Sequence, residues 1–512
     1  MKRTSRLLAA SLLAVGVTAP AASAQELVVG FTQDANTLDP GNHRNRETET
    51  IIRNMFDGIL TRDSSMNILP ELAESYTQVS PTVYDFEIRE GVTFHDGSVM
   101  TAEDVRFTLH RLTAEGAIGD GQTSPRQSLL GPVSGVEVVD GNTVRVTLSE
   151  PWPLLPAMLP FQEIVSQAFV ESVGADGMAT SVNGTGPFKL VDWRRGDSII
   201  MERFDDYYGG APGIEPVGKA CVERVIFKVI PESASRVAAL LAGDVHIIND
   251  LPPFAIEQVE NSETAKVMTV NGTRSFFIAM NVEGEIFDDI RVRQAAAHAI
   301  DKDLIIDRIL GGNAAAISGI LSPDAFGKNM DLPDYAYDPE KARALLAEAG
   351  YPDGVDITMD TTGAYKDTAE AVASLLTKAG FNTKVAVGES ALLTEKWRTE
   401  GGPKTGDMYF TSWGNGSLDP QGIFVPTHMT AARGNSAGYA NPEIDRLLDA
   451  ASTEVDREKR AEMYREAEAI ANADVPYVYL WVPQDIYGVS TRLTGWSPSP
   501  DSRINLHDAC LN

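Results

Sequence analysis

The stretch Asp338–Thr361, "DPEKARALLAEAGYPDGVDITMDT", contains signals for one complete helix followed by one strand. Asp338 is a typical N-cap residue, Pro339 suits the first helical position, and Gly350 is a typical stop signal. The alternation of apolar and polar residues from Val355 onward predicts a strand. A helix that leads directly into a strand indicates an α/β arrangement in this part of the chain.

The alternation of helices and strands continues beyond this stretch. The patterns predict a helix at 368–379, a strand at 382–388, a helix at 392–399 and a strand at 406–413. Strands that alternate with helices form parallel sheets with helices on their faces. The last strand ends at Trp413, which the loop "GNGSLDP" follows. Because ligands of open α/β sheets bind at the carboxyl ends of the strands, Trp413 is either a ligand contact or a residue that fills a gap between sheet and helix.

The first half of the chain is richer in strand signals. Strand-like segments occur at 26–32, 83–89 and 198–204, and the segment 136–149 contains two alternating runs around an Asp-Gly turn, which predicts a hairpin. We therefore expect an α+β first half and, from about Asp288 onward, an α/β second half.

The first 24 residues have the features of a secretory signal peptide. A basic start is followed by the apolar run Leu7–Val17 and by "ASA", which predicts cleavage before Gln25. An apolar run of this length is too short to span a bilayer. Because no cysteine stands at the cleavage point, we expect a periplasmic protein without a lipid anchor.

The composition argues against a nucleic-acid partner. The 512 residues carry a formal net charge of -29, and loss of the three positive charges of residues 1–24 makes it -32. Such an acidic protein is repelled by phosphate backbones and by anionic membrane surfaces. Hydrophobic residues make up 43% of the chain, which is enough for large cores, and the length indicates at least two domains.

The only cysteines of the sequence are Cys221 and Cys510, 289 positions apart. An oxidising compartment permits a disulfide between them, but sequence spacing does not supply the required geometry. On this reasoning a disulfide and two buried free thiols both remain open.

Signals for catalysis are weak. The seven histidines form no HExxH pattern and no Walker or GxGxxG motif occurs, so we expect no metal and no cofactor. "GNSAG", at 434–438, matches the nucleophile motif GxSxG with Ser436 at its centre. That motif needs a strand before it and a helix directly after it, whereas here the next helix signal comes only at Asn441. A secreted serine hydrolase that uses Ser436 is therefore the second hypothesis.

Several segments together resemble the dipeptide/oligopeptide group of extracellular solute-binding proteins, family 5, which are receptors of peptide-type ABC importers. The most specific segment is Ile68–Leu112, which contains "PELAES", "GVTFHDG" and "TAEDV" in the order of the family. Further matches in family order are Asn183–Trp193, Arg236–Ile247, Phe287–Asp301, Tyr337–Gly354 and Gly438–Ala451. On these segments the chain is identified as a member of that family.

The resemblance implies an α/β two-lobe periplasmic binding protein fold (class II, type 2) with an extra α+β subdomain on lobe I. Carried onto this chain, lobe I takes 25–55, 185–269 and 481–512, the extra subdomain takes 56–184, and lobe II takes 270–480. Cys221 and Cys510 then share lobe I, which favours the disulfide. The resemblance also implies a monomeric receptor that binds a small molecule between its lobes and delivers it to the permease subunits of an ABC importer, without chemistry on the ligand.

Trp413 matches the tryptophan that the family places in lobe II beside the ligand. An N-terminal loop faces the cleft in relatives, and it contributes Arg44 here, with a solvated surface as the alternative for Arg44 and still more for Arg46. The expected ligand contacts are Trp413, Asn415, Ser417, Asp419, Arg44, Thr37 and Tyr365.

The sequence departs from the pattern of peptide-binding members at two charged positions. Those members commonly carry an aspartate three residues after the tryptophan, where this chain has Gly416, and the loop "TTGAYKD" lacks the arginine that meets a peptide carboxylate. We therefore expect a ligand of the peptide, opine or oligosaccharide class that is not a simple zwitterionic peptide. It is either a neutral molecule that stacks on Trp413 or an anion held by Arg44.

Overall fold

The computed structural model describes residues 25–119, 121–215, 217–398 and 404–512, and the predicted signal peptide at 1–24 lies outside them. The strands of the described residues are β1 (Glu26–Phe31), β2 (Leu60–Arg62), β3 (Ile68–Pro70), β4 (Ala73–Ser80), β5 (Val83–Ile88), β6 (Val133–Asp140), β7 (Thr143–Leu148), β8 (Phe188–Arg194), β9 (Ser198–Arg203), β10 (Arg224–Val229), β11 (Ile247–Ile248), β12 (Ala265–Asn271), β13 (Arg274–Met280), β14 (Ala314–Ala316), β15 (Val355–Thr362), β16 (Phe381–Gly388), β17 (Met408–Gly414), β18 (Tyr477–Ser490), β19 (Leu493–Thr494) and β20 (Cys510–Leu511).

The α-helices of the described residues are α1 (Arg46–Ile52), α2 (Ala102–Thr113), α3 (Leu155–Met158), α4 (Gln167–Met178), α5 (Ser233–Ala242), α6 (Ile256–Glu260), α7 (Ile290–His298), α8 (Lys302–Arg308), α9 (Pro339–Glu348), α10 (Lys366–Lys378), α11 (Ser390–Arg398), α12 (Phe424–His428), α13 (Pro442–Thr453) and α14 (Arg457–Asp474). Within the described ranges, none of them combines the length and the apolar character that a membrane span requires.

Most strands belong to one long mixed sheet. Its main path runs β16-β15-β17-β13-β18-β11-β1-β10-β9-β8, and β12 and β14 pair with β18 outside that path. We call the part formed by β1, β8 to β12 and the second half of β18 sheet I. The part formed by β13 to β17 and the first half of β18 is sheet II.

Two segments of the chain connect sheet I to sheet II. One is the junction of β12 and β13 at Gly272, and the other lies within β18, which pairs with β13 up to Trp481 and with β12 from Gln484 onward. The Gly272 N–H donates to the Pro483 carbonyl at 3.0 Å, and a Cβ atom on Gly272 would lie 2.7 Å from the same oxygen. The missing side chain therefore lets the two connecting segments run side by side.

Sheet II has the predicted alternation of strands and helices. β15 pairs in parallel with β16 and with β17, while α10 and α11 connect these strands. α9 begins after Asp338, whose carboxylate accepts a hydrogen bond from the Lys341 N–H at 2.9 Å, and it stops before Gly350, whose φ is +101°. The predicted order and both helix signals are confirmed, with element bounds that differ by one or two residues.

A separate antiparallel sheet has the order β4-β5-β7-β6. The hairpin predicted around the Asp140–Gly141 turn joins β6 to β7 and is confirmed. Helix α2 packs on this sheet, and its buried Leu109 shares a core with Phe86 and Val146. This part of the chain therefore has its own hydrophobic core beside sheet I.

Cys221 and Cys510 form a disulfide, and their Cα atoms are 5.2 Å apart. Cys510 lies in β20 near the end of the chain, and Cys221 lies shortly before β10 of sheet I. The bond confirms the predicted pairing and ties the last strand to sheet I.

Candidate functional site

Trp413 lies near the end of β17, at the edge of sheet II where the parallel strands β15 and β16 also end. Its half-buried indole packs against one of the hydrophobic cores of sheet II. The indole N–H donates to the Gly422 carbonyl at 3.0 Å, and a Cβ atom on Gly434 would lie 2.7 Å from the ring. The Trp413 ring therefore fills a gap beside Gly422 and Gly434 and stays partly accessible to solvent.

The loop after Trp413 is held in shape by its own polar side chains. The amide of the buried Asn415 donates to the Asp419 carbonyl, and its oxygen accepts a hydrogen bond from the Ser417 hydroxyl, both at 2.9 Å. The Asp419 carboxylate accepts two hydrogen bonds from Arg460, at 2.6 and 2.7 Å, in a buried ion pair. These three predicted contacts therefore position the loop, and the carboxylate of Asp419 is already occupied by Arg460.

Two arginines from the N-terminal part of the chain reach the same loop. Arg62 Nη1 donates to the Gly416 carbonyl at 3.3 Å, and Arg46 Nη2 lies 3.5 Å from the position of a Cβ atom on Gly416. The buried Arg62 also pairs with Asp501 at 3.5 Å, while the exposed Arg46 donates to the Ser502 hydroxyl at 2.9 Å. The end of sheet II is therefore in direct contact with residues outside sheet II.

Tyr365 and Arg274 meet at Ser412, on the face of β17 opposite to Trp413. The Tyr365 hydroxyl lies 3.1 Å from Ser412 Oγ, and Arg274 Nη1 donates to the same oxygen at 3.2 Å. The Tyr365 ring also packs edge-on against Phe276, with ring centroids 5.0 Å apart. Both faces of β17 thus carry polar groups at this end of the strand.

Two further arginines lie over the Trp413 ring. The Cζ atom of Arg398 is 5.1 Å from the ring centroid, and that of Arg433 is 5.5 Å from it. Arg398 also donates to the Thr411 hydroxyl at 2.9 Å. Burial lowers the pKa of Arg398, and the positive charges of Arg433 and Arg274 lower it further. The surroundings of Trp413 are therefore strongly basic.

The remaining predicted contacts, Thr37 and Arg44, lie in the segment before α1. The Thr37 hydroxyl accepts a hydrogen bond from the Asp39 N–H at 3.2 Å. Arg44 Nη1 donates to the Pro125 carbonyl at 3.3 Å and to the Ser128 hydroxyl at 3.0 Å. Within this segment it is Arg46, rather than Arg44, that lies beside the loop after Trp413.

Sequence reasoning missed most of the basic residues at this place. It considered Arg46 but favoured a solvated surface for it, and its position two residues after Arg44 was the available signal. Arg62, Arg274, Arg398 and Arg433 come from four distant parts of the chain and belong to no local motif. Only the fold brings them together.

Ser436 is not placed for catalysis. Its side chain is fully buried, and its hydroxyl donates to the Gly434 carbonyl at 3.3 Å. The buried His428 is bonded instead to Thr427 and to Tyr479, at 2.8 Å each. A serine nucleophile needs access to substrate and a base within reach, so the structure gives the hydrolase hypothesis no support.

A separate cavity of about 330 Å³ lies beside the N-terminal part of the chain, and none of the seven predicted ligand contacts lines it. Its lining includes Asp57, Glu71 and Arg503. Burial raises the pKa of Glu71 to about 8, with a further contribution from the charge of Asp57, and burial raises the pKa of Asp57 to about 6. The cavity is therefore polar and chemically distinct from the surroundings of Trp413.

We compared the chain with models of protein families and with known proteins, and one family model matches most of the chain. The model of the bacterial extracellular solute-binding proteins, family 5 (middle region), matches residues 67–434. The glutathione-binding protein GsiB of Pectobacterium atrosepticum is 27% identical over 517 residues, which cover 99% of this chain and 98% of that protein.

Two solved structures are similar over most of the chain. HbpA2 from Haemophilus parasuis has a TM-score of 0.86 at 23% identity, over 95% of this chain and 100% of that one. AgaA from A. tumefaciens R10, solved with agropinic acid, has a TM-score of 0.71 at 27% identity, over 95% of this chain and 99% of that one. The fold is therefore the α/β two-lobe fold of periplasmic solute-binding proteins. The chain belongs to the bacterial extracellular solute-binding proteins of family 5, and it is a small-molecule receptor of an ABC importer rather than an enzyme.

Proposed function

We propose that this receptor binds a peptide-sized solute at the loop Trp413–Gly416, between a lobe built on sheet I and a lobe built on sheet II. The hydrogen bond from Arg62 to Gly416 carries this proposal, because it joins the N-terminal part of the chain to the carboxyl edge of sheet II. A solute seated there contacts both lobes and so stabilises their closed arrangement. The permease then distinguishes loaded from empty receptor by shape.

The proposed lobes follow the pairing of the strands. Lobe I takes 25–55, 185–269 and 481–512, the extra subdomain takes 56–184, and lobe II takes 270–480. The passage of the chain at Gly272 and at Pro483 supports the boundaries between the lobes, since β18 there changes its partner from β13 to β12. The separate sheet of β4 to β7 supports the extra subdomain.

The predicted contacts divide into three groups. Trp413 and Tyr365 are both partly accessible and lie on the two faces of β17, and we assign both to direct contact with the solute. Asn415, Ser417 and Asp419 set the shape of the loop. Thr37 and Arg44 belong to the same segment as Arg46, so we place them in the lobe I wall of the cleft.

We place the solute at Trp413 rather than in the cavity beside Asp57 and Glu71. That cavity is lined by residues of the proposed lobe I and its subdomain, so a solute inside it touches one lobe alone and has no means to report closure. The loop at Gly416, by contrast, belongs to the proposed lobe II and accepts a hydrogen bond from Arg62, which lies outside that lobe.

The ligands named for two relatives indicate the size of the solute. GsiB is a glutathione-binding protein, and AgaA was solved with agropinic acid. Glutathione is a tripeptide and agropinic acid is an opine, so we infer a solute of the peptide or opine class. With Gly416 in place of an aspartate and Arg46 beside it, we expect weak binding of simple zwitterionic dipeptides.

The signal-peptide features of residues 1–24 support export to the periplasm, and the lack of a cysteine at the predicted cleavage point supports a form without a lipid anchor. Because the cleft is enclosed by the two lobes of one chain, we propose that the receptor works as a monomer.

Small-angle scattering tests the proposal. The protein is freed of solute by denaturation and refolding, and profiles are recorded with and without the small-molecule fraction released from natively purified protein. We expect a smaller radius of gyration and a higher melting temperature with that fraction. Stabilisation without any change in the scattering profile contradicts closure around the solute.

A further inference from the structure

Three arginines from different elements converge on the end of β17. Arg274 is the first residue of β13, Arg398 is the last of α11, and Arg433 lies in the loop before α13. Arg398 and Arg433 lie over the Trp413 ring at 5.1 and 5.5 Å, and Arg274 Nη2 lies 3.0 Å from the position of a Cβ atom on Gly414. We call these three residues the arginine triad.

The arginine triad has no carboxylate partner in the part of the chain that the structure describes. None of the ion pairs formed within 25–119, 121–215, 217–398 and 404–512 involves Arg274, Arg398 or Arg433. The Nε atom of Arg398 is buried and has no hydrogen-bond acceptor in these ranges. By contrast, Arg460 below the same loop is paired with Asp419 through two hydrogen bonds.

The net charge of the protein makes such a cluster unexpected. The chain is strongly acidic, with a net charge of -29, yet three arginines gather here without ion-pair partners among the described residues. Neighbouring positive charges repel one another, and an acid group placed among them removes that repulsion. Guanidinium groups also bind carboxylates through paired hydrogen bonds, which gives geometric selectivity.

We propose that the solute carries at least two acid groups and that the arginine triad determines this specificity. The inference rests on the proposed function, namely that a solute binds at Trp413. Arg274 meets Ser412 on one face of β17, whereas Arg398 and Arg433 meet Trp413 on the other face. Successive side chains of a strand point to opposite faces, so the two sets of arginines meet different faces of β17 and offer separate places for two acid groups.

The opposite wall of the cleft adds a further positive group. Arg46 stands beside Gly416, at the position where the resemblance to peptide-binding members implies an aspartate for an ammonium group. Of the two classes that the sequence left open, a neutral solute and an anion, the structure favours the anion. The arginines that receive it include the triad of sheet II, which sequence reasoning did not consider.

The experiment uses the small-molecule fraction released by heat from natively purified protein. This fraction is divided on an anion-exchange resin, and each part is tested for a rise in the melting temperature of refolded, solute-free protein. We expect the stabilising material to be retained by the resin and to lose its effect after methyl esterification. Its affinity should fall several-fold between about 20 and 200 mM NaCl, because salt screens the attraction.

Arg433→Gln is the most informative variant, because Arg433 is exposed and its contact is with the Trp413 ring. We expect its affinity for the retained fraction to fall at least tenfold with the melting temperature of the solute-free protein unchanged. The affinity of Arg433→Lys should fall less, since lysine keeps the positive charge. Arg446→Gln is the matched control, because Arg446 is an exposed arginine of α13 that pairs with Glu443, and it should bind as the wild type does.

The outcomes separate this inference from the proposed function. If the stabilising material passes through the resin, or still stabilises the protein after esterification, the solute does not need acid groups. The proposed receptor function is not affected by that result. Equal effects of Arg433→Gln and Arg446→Gln overturn the role of the arginine triad. If neither the retained nor the unretained part of the released fraction stabilises the protein, the result contradicts solute binding itself.

Discussion

The guanidinium group of Arg46 faces Gly416, and its Nη2 atom lies 3.5 Å from the position that a Cβ atom on Gly416 would occupy. From the resemblance to peptide-binding members of the family, we expect an aspartate at this position in a receptor that takes the ammonium group of a peptide. With glycine here, the loop itself offers no carboxylate to Arg46, which donates to Ser502 and, through that hydroxyl, is linked to Asp485. We therefore expect the loop to receive an acid group of the solute at this place rather than an ammonium group.

Gly416→Asp should restore the carboxylate and weaken binding of an anionic solute at least tenfold, because the new charge pairs with Arg46 and repels the solute. The substitution should fold, since 3.5 Å is an ordinary contact distance and Gly416 is not among the glycines with positive φ. Titration calorimetry with the released solute measures the effect. Gly416→Asn has the same size without the charge and should bind more tightly than Gly416→Asp, and the reverse order would refute the electrostatic explanation.

Trp413→Ala should reduce both binding and stability. Loss of a desolvated aromatic contact commonly costs about 2 kcal/mol or more in binding. The indole also packs against the core and donates to the Gly422 carbonyl, so we expect a loss of roughly 2 kcal/mol in the free energy of unfolding as well. Trp413→Phe keeps a ring and should retain part of both. A large loss of stability with unchanged affinity would show that Trp413 only fills the core.

Local signals made much of the fold predictable. The helix signals at Asp338 and Gly350 and the period of the strands depend on neighbours in the sequence, and these elements formed as expected. The basic surroundings of Trp413 were not predictable, because Arg62 and Gly416 are 354 positions apart and meet only through the fold. The ion pair between Asp419 and Arg460 was not predictable for the same reason. The sequence alone does not distinguish an exposed aspartate in a loop from one that is buried in an ion pair.

The disulfide between Cys221 and Cys510 should be present in the exported protein. It closes a loop with a sequence separation of 289, for which the chain-entropy model gives on the order of 5 kcal/mol. Thiol titration of denatured, unreduced protein should therefore find no free thiol, and reduction should lower the melting temperature. The double variant Cys221→Ser with Cys510→Ser is the control and should melt at the same temperature with and without reductant. Two titratable thiols in the unreduced protein would contradict the bond.

The buried Glu71 should make stability depend on pH. Its carboxylate accepts a hydrogen bond from the Gly58 N–H at 2.9 Å, and burial raises its pKa from 4.5 to about 8. The folded state therefore keeps a proton that the unfolded state releases, so this contribution is complete below pH 4.5 and is lost as the pH rises through about 8. We expect the melting temperature to fall by several degrees between about pH 5 and pH 8.

Glu71→Gln isolates this effect, because the amide is neutral at every pH and its oxygen still accepts from Gly58. The variant should show a flatter profile of melting temperature against pH than the wild type. Glu115→Gln changes an exposed glutamate and should leave the wild-type profile intact. If the Glu71→Gln profile runs parallel to the wild type, Glu71 does not hold the proton.

A crystal structure of the receptor with its co-purified solute tests the central claim most directly. We predict solute density against the Trp413 ring, with Arg46 on one side and Arg274, Arg398 and Arg433 on the other. Solute density in the cavity beside Asp57 and Glu71, with none at Trp413, would contradict the account.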